Sequence, residues 1–298
     1  METKIENIEL NIKVEMIDGQ NHATAICYYK NTPKVDGKEI GAIGEFEANN
    51  KDLGVKLLTK CEDILKEKGC KRIVGPMNGN TWKKYRVLTY TTDEPKFILE
   101  NVNPIEHNEI FEKANFKKMY TYTSTKGKID DYVKSKYEVK LEEKIRNQNI
   151  SIRTFDKNNY IEDLKKIYEV ASPSFYRNPF YTPISEEEFL TQYIPYISMF
   201  DEDLILIAEK DNKPVGFVFA LPNYDKETIV VKTGVVIDEY QKLALGNTLL
   251  SKLHDKAKEK GYINWIFAFM YQNNTSQKSA KRHNTKIIRK YALYVKDL

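Results

Sequence analysis

The sequence predicts an α/β fold that is present twice, and three observations carry that expectation. The segments GVKLLTKCEDILKEKG (54–69) and GNTLLSKLHDKAKEKG (246–261) align without a gap and agree at nine of sixteen positions. Their offset of 192 residues is too long for a stacked repeat, so it indicates a duplicated domain. An apolar, strand-like run precedes each copy, EIGAIGEF before the first and TIVVKTGVVI before the second, and INWIFAFM follows the second as a buried strand. Lysine-rich helices can mimic one another by composition alone, but the matched strands ahead of both copies argue against that explanation.

Taken in order, the N-terminus METKIENIELNIKV alternates polar and apolar residues and has neither the apolar core nor the small-residue cleavage site of a signal peptide. A cytoplasmic location is the resulting expectation. The first repeated helix leads to a further helix and a final strand, FKKMYTYTST. The charged, weakly periodic stretch 126–149 reads as a connecting helix or linker. The expected organisation is therefore one domain over 1–125, a connector over 126–150 and a second domain over 151–298. In the second copy Leu245, Leu249, Leu253 and Ala257 recur every four residues, one face of a helix that closes at Gly261. KIIRKYALYV supplies the last strand.

Composition narrows the function classes. A chain of 298 residues with 41% hydrophobic and 12% aromatic content, including 20 tyrosines, fits two folded domains, and no run reaches membrane-spanning length. No membrane partner is expected. Cys27, Cys61 and Cys70 are an odd, unpaired set, read as buried free thiols, and His22, His107, His254 and His283 form no zinc spacing with them, so no metal is expected. A net charge of +4 does not point to nucleic acid. Residues 278–290 do carry six basic side chains and no acidic one, which is a solvated face or a contact for a polyanion.

The turn EYQKLALGNTLL (239–250) is the most informative stretch. A strand that enters a tight turn and then a helix leaves the first helical amides unpaired, with the helix dipole adding positive character. Gly246 and the small Ala244 uncover the backbone there, so the amides from Gln241 to Thr248 become candidate donors to a phosphate.

VVIDEYQKLALG resembles the acyl-CoA-binding motif of the GNAT superfamily of N-acetyltransferases, with Gln241, Ala244 and Gly246 in the motif positions. It departs at Asp238, where the family usually has Pro, and at Ala244, where Gly is usual. The resemblance extends through QNNTSQKSAKRHNTKIIRKYALY, and in the first half through NPIEHNEIFEKANF and GPMNGNTWKKYR, the latter as in two-domain members. It implies an α/β (α+β) mixed sheet in two tandem GNAT-like, acyl-CoA N-acyltransferase domains. Coenzyme A, as acetyl-CoA, would be held by Val235, Val236, Gln241, Lys242, Leu243, Ala244, Leu245, Gly246, Asn247, Thr248, Asn273, Asn274 and Ser276. In the first copy Asp52 stands where the second has Ala244. A carboxylate at a helix start that should attract anions costs about 1 kcal/mol, so that copy is expected to be degenerate and silent.

The implied reaction moves an acyl group from the thioester to a small-molecule or peptide amine. The family's usual catalytic Tyr is replaced by Ala280 and Lys281, which leaves Tyr271, Tyr294 and Glu227 as candidates for proton transfer, with Tyr291 and Asp238 behind them. The aromatic stretch 172–196 is the expected acceptor wall; Glu186, Glu187 and Glu188 within it are read either as a helix start after Ser185 or as attraction for a cationic amine. Alternatives are an aminoacyl or long-chain acyl transferase, a non-catalytic CoA-binding regulatory module and, more weakly, a nucleic-acid binder. Homodimerisation is left open.

Overall fold

Period-two burial makes the first strands of the computed structural model, which describes residues 1–35 and 37–298. β1 (Glu2–Ile8) is exposed throughout, β2 (Asn11–Asp18) turns Ile12, Val14 and Met16 inward, and β3 (Asn21–Tyr28) does the same with Ala23, Ala25 and Cys27. A short ribbon, β4 (Lys34–Val35) with β5 (Lys38–Glu39), precedes β6 (Gly41–Ala48). The repeated helix follows as α1 (Lys51–Glu67), started by the Asn50 side chain, which accepts from the Leu53 amide at 3.0 Å. The half continues with β7 (Arg72–Gly75), β8 (Val87–Thr91), α2 (Glu106–Lys113) and β9 (Lys117–Lys128).

The expected connector contains α3 (Lys136–Arg146), begun by a reciprocal capping box between Ser135 and Glu138. The second half runs β10 (Ile150–Thr154), α4 (Tyr160–Phe175), α5 (Glu186–Tyr193), β11 (Ile205–Lys210), β12 (Lys213–Pro222) and β13 (Thr228–Val236). It ends with α6 (Asp238–Gln241), α7 (Leu245–Glu259), β14 (Asn264–Tyr271), α8 (Ser276–Arg282) and β15 (Lys286–Asp297). β12 is buried over eight consecutive residues because Phe217, Phe219 and Leu221 meet α4 while Val218 and Ala220 meet α7. The four-residue spacing read from the sequence holds, since Leu245, Leu249, Leu253 and Ala257 are all buried.

The two halves share one mixed sheet of thirteen strands, in the order β1-β2-β3-β6-β7-β15-β9-β14-β13-β12-β11-β10, with β8 also on β15. The final strands are exchanged. β15 pairs with β7 of the first half, and β9 pairs with β14 of the second, while β15 and β9 pair with each other. Tyr294 and Ala292 of β15 thereby complete the first half's core.

The basic run 278–290 is not uniform. Arg289 on β15 is buried with its Nε donating to Glu100 Oε1 at 2.9 Å, and Tyr291 OH donates to the same oxygen at 2.7 Å. A buried guanidinium without that carboxylate would be strongly destabilising. The three cysteines are buried and free. Among the described residues no helix is long and apolar enough to cross a membrane.

His283 follows α8 and packs on Tyr132, Trp265 and Phe267. Its Nδ1–H donates to the Ser279 carbonyl at 2.7 Å, and its buried Nε2 has no partner among the described residues, so the ring is held neutral. Burial lowers its pKa from 6.5 to about 4. Below pH 6.5 the unfolded chain takes up this proton and the folded one does not, so stability falls as pH falls. Between pH 6.5 and 5 the expected loss is about 1.5 kcal/mol. Urea midpoints of the wild type and His283→Gln over that range check it; equal slopes for the two proteins would contradict it.

Candidate functional site

Two bulges open the second half of the sheet. β13 and β14 run parallel from the pair Thr228↔Asn264 to Val231↔Phe267, and their pairing stops there. Against β12, Ala220 faces Val231 but Phe219 faces Thr233, so Lys232 is an extra residue that bends β13. Against β9, Phe267 faces Thr125 but Met270 faces Thr123, so β14 is bulged at 268–269. Phe269 has a left-handed φ of 55°, and its amide donates to Ser124 Oγ at 3.1 Å. Both strands therefore turn at the level where they part. Among the described residues the edge of β13 facing the gap has no strand partner from Lys232 to Val236.

The chain leaves β13 and reaches α7 within a few residues. α6 makes one turn, and Ala244 then takes φ 59° and ψ 24°, reversing the backbone into α7 without any side-chain cap. Asn247 and Thr248 donate back to the Ala244 carbonyl at 2.9 and 3.2 Å. Leu245 and Gly246, the first two residues of α7, have no preceding helical turn to donate to. The Leu245 side chain is fully buried and anchors the helix start. A Cβ on Gly246 would meet only Val236 Cγ2, at 3.7 Å, so packing does not require a glycine there. Its absent side chain leaves the amides bare at the positive end of the helix.

The charges at this turn are arranged to leave it open. Asp238, which departs from the family pattern, is paired with Arg177, both side chains being exposed. Gln241 donates from Nε2 to the Val236 carbonyl at 3.1 Å and to Asp238 Oδ1 at 2.9 Å, which ties the turn to the end of β13. Lys242 is exposed and Leu243 half-buried. Coenzyme A suits this donor set: a diphosphate is matched by bare amides, and a pantetheine arm by the free strand edge at Thr233–Val236.

The first copy differs at every one of these points. Asn50 caps α1, and Asp52 lies exposed in its first turn. β6 pairs with β7 only at Gly41 and Ala42, but the space beyond is filled by the chain itself. Met77 N–H donates to the Ile43 carbonyl at 2.8 Å, and Glu45 N–H to Asn78 Oδ1 at 2.9 Å. A Cβ on Gly44 would lie 2.5 Å from the Met77 carbonyl oxygen. Gly54, the counterpart of Gly246, is closely packed, since a Cβ there would lie 2.9 Å from Ile110 Cδ1.

The remaining candidates are scattered. Asn273, Asn274 and Ser276 follow β14, where Asn274 Oδ1 accepts from the Ser276 amide at 3.2 Å, and Asn273 Nδ2 donates to Tyr271 OH at 3.3 Å. Tyr271 ends β14, half-buried against Tyr120 and Tyr122. Glu227 is exposed just before β13, about 25–30 Å of strand away from the turn. Tyr294 sits in the first half's core, stacked on Phe111, with its hydroxyl donating to Glu112 at 2.8 Å; burial first, and that carboxylate second, push its pKa up. Ser185 and Glu188 form a capping box, so the helix-start account of 186–188 holds.

A cavity of about 20 Å³ lies between α4, α5 and the β13 bulge, lined among others by Phe175, Phe189, Tyr193, Lys232 and Thr233. It is room for roughly one water. A larger hollow of about 570 Å³ lies on the β10 edge, three strands from β13. It holds a self-satisfied ion network, Arg153 with Asp163 and Glu209, so the smaller cavity beside the gap is the one tied to this site. The pair Trp82 and Arg86 near the gap escaped the site reading, while Tyr193, beside Lys232, falls within the acceptor wall expected over 172–196. The tryptophan–arginine loop of the first half was the available signal for the pair.

The family model described as acetyltransferase (GNAT) family matches residues 164–284, which contain this gap and turn. Protein YghO of Escherichia coli is 24% identical over 191 residues, covering 64% of this chain and 49% of its own. The bacterial ceramide synthase of Caulobacter vibrioides is 22% identical over 201 residues, covering 65% and 51%. The chain thus spans about half the length of the curated relatives it matches. A solved tandem GNAT protein from the clavulanic acid biosynthesis pathway superposes with a TM-score of 0.54 at 9% identity, covering 96% of this chain and 82% of that one, a likeness of fold alone. Residues 164–284 thus match a GNAT-family acetyltransferase domain, within a mixed α/β fold similar to that of a solved tandem GNAT protein.

Proposed function

We propose that the protein is an acyl-CoA-dependent N-acyltransferase that binds its donor in the second half, 151–298. The observation that supports this most directly is the parting of β13 from β14 beside the uncapped start of α7. The bare amides of Leu245 and Gly246 hold the diphosphate, and the free edge at Val235 and Val236 holds the pantetheine arm. Coenzyme A supplies the activated thioester, and the chain orients it and excludes water. Of the three residues named for proton transfer, Tyr271 alone lies on a strand bounding the gap, and the proposal keeps it as the acid. The first half, 1–125, is architectural in this reading because its equivalent cleft is filled and its helix capped.

Acetyl-CoA is the expected donor. The relative named a ceramide synthase keeps a longer acyl chain as the second reading. Melting curves with millimolar acetyl-CoA and with palmitoyl-CoA test both. A ligand at a hundred times its Kd adds about 2.7 kcal/mol of stability. A rise with acetyl-CoA supports the first reading, a rise with palmitoyl-CoA alone the second, and no rise with either overturns the donor site.

A further inference from the structure

The loop 76–86 of the first half reaches the second half at the gap. Trp82 donates from its indole N–H to the Thr182 carbonyl at 2.8 Å, and its ring lies 5.7 and 5.8 Å from those of Phe175 and Phe189, which line the small cavity. Four residues later Arg86 takes a left-handed φ of 74°, with its amide donating to the Pro76 carbonyl at 2.8 Å. This conformation is unfavourable for a side chain as large as arginine.

The guanidinium so placed sits over three rings, 4.0 Å from Tyr85, 4.6 Å from Tyr122 and 4.5 Å from Phe269. Phe269 is the bulge residue of β14. Arg86 is half-buried, and among the described residues its guanidinium makes one hydrogen bond, a long 3.5 Å contact from Nη1 to the Phe269 carbonyl. A guanidinium has five N–H donors, and ring faces satisfy none of them as a carboxylate would. Arg153 and Arg289, the other partly or fully buried arginines considered above, each meet a carboxylate within 3 Å.

Across the gap the bulge residue of β13 is also a cation. Lys232 Nζ donates to Tyr193 OH at 3.2 Å and lies 5.0 Å from that ring, and no carboxylate pairs with it among the described residues. A half-buried positive charge on aromatic support therefore stands at each bulge, Lys232 on β13 itself and Arg86 over Phe269 of β14. The diphosphate is not the anion they await, because Lys232 precedes Val236 by four residues, about 13 Å of strand.

Resting on the donor-site reading above, we infer that the acceptor is an amine that also carries an anionic group, a carboxylate or a phosphate, which Arg86 grips with Lys232 in support. The guanidinium fork suits either group, and the amine at the other end of the acceptor is left facing the thioester.

Calorimetric titration of the full chain without any CoA, using O-phosphoethanolamine, β-alanine and ethanolamine, separates this inference from the donor reading. At least one anionic amine is expected to bind about 10- to 100-fold more tightly than ethanolamine. Arg86→Met is expected to bring that ratio close to one, and Arg86→Lys to keep part of it. Comparing phosphate with carboxylate in the same titrations distinguishes the two sources of charge. Equal affinities for all three amines in the wild type, or a ratio untouched in Arg86→Met, overturns the inference. Preference for the anionic amines in a protein whose melting ignores acyl-CoA would sink the donor reading, and with it the acceptor role, leaving only the anion site at Arg86. Should Arg86→Met fail to fold, the wild-type ratio and Arg86→Lys decide.

Discussion

A chain ending at Thr285 is expected to lose cooperative unfolding, because β15 holds the two halves' strands together. Ile288, Tyr291, Leu293, Tyr294 and Val295 are each at most 5% exposed. Burial of such side chains stabilises by about 1.5–3 kcal/mol apiece, a sum that rivals the roughly 5–15 kcal/mol holding a typical domain. Without β15 the sheet divides between β7 and β9, and β8 has no partner. The exchange also suggests a repair. Lys126 of β9 lies opposite Lys286 of β15 in an antiparallel pair, so a two-residue Asn-Gly turn can join residue 126 to residue 286. Residues 1–126 alone should show no sharp melt, and the same fragment continued through the turn into 286–298 should show one. A cooperative transition in the shorter fragment would refute the structural role given to β15.

Gly246→Glu is expected to abolish donor binding while leaving the free protein folded. The position has room for a Cβ, with Val236 Cγ2 at 3.7 Å, so the melting temperature without ligand should move little. The carboxylate would then stand beside the bare amides of α7, where its charge opposes that of a diphosphate. In the wild type, acetyl-CoA at a hundred times its Kd should raise the melting temperature by about 5–10 °C. The variant should show no rise. Gly246→Ala is the milder control: removing a helical glycine stabilises by about 0.5–1 kcal/mol, so the free protein should melt slightly higher and gain less from the ligand. A full acetyl-CoA response in Gly246→Glu would remove α7 from the site.

Local pattern made the second copy legible. Leu245, Leu249, Leu253 and Ala257 announced a helix because burial repeats with the helical period, and Gly246 announced an uncovered turn because only glycine lacks a Cβ. What depended on distant partners was hidden. Nothing in alanine signals that Ala244 will adopt φ 59°, since the surrounding strand and helix impose it. Strand periodicity identifies β9 and β15 but not their neighbours, and so the exchange was not visible. Arg289 looked like part of a solvated run because Glu100, its counter-ion, lies 189 residues earlier. Arg86 belongs to a loop that seemed to concern only the first half. Tyr294, named for chemistry, is placed by the exchange in that half's core.

An uninterrupted ladder from one edge of the molecule to the other also fixes its mechanics. Sliding or hinging one half against the other would break main-chain hydrogen bonds along β9 and β15 together, each costly to leave unmade. The proline-broken stretch around α5 lies outside that ladder, so it can shift without breaking any of those bonds.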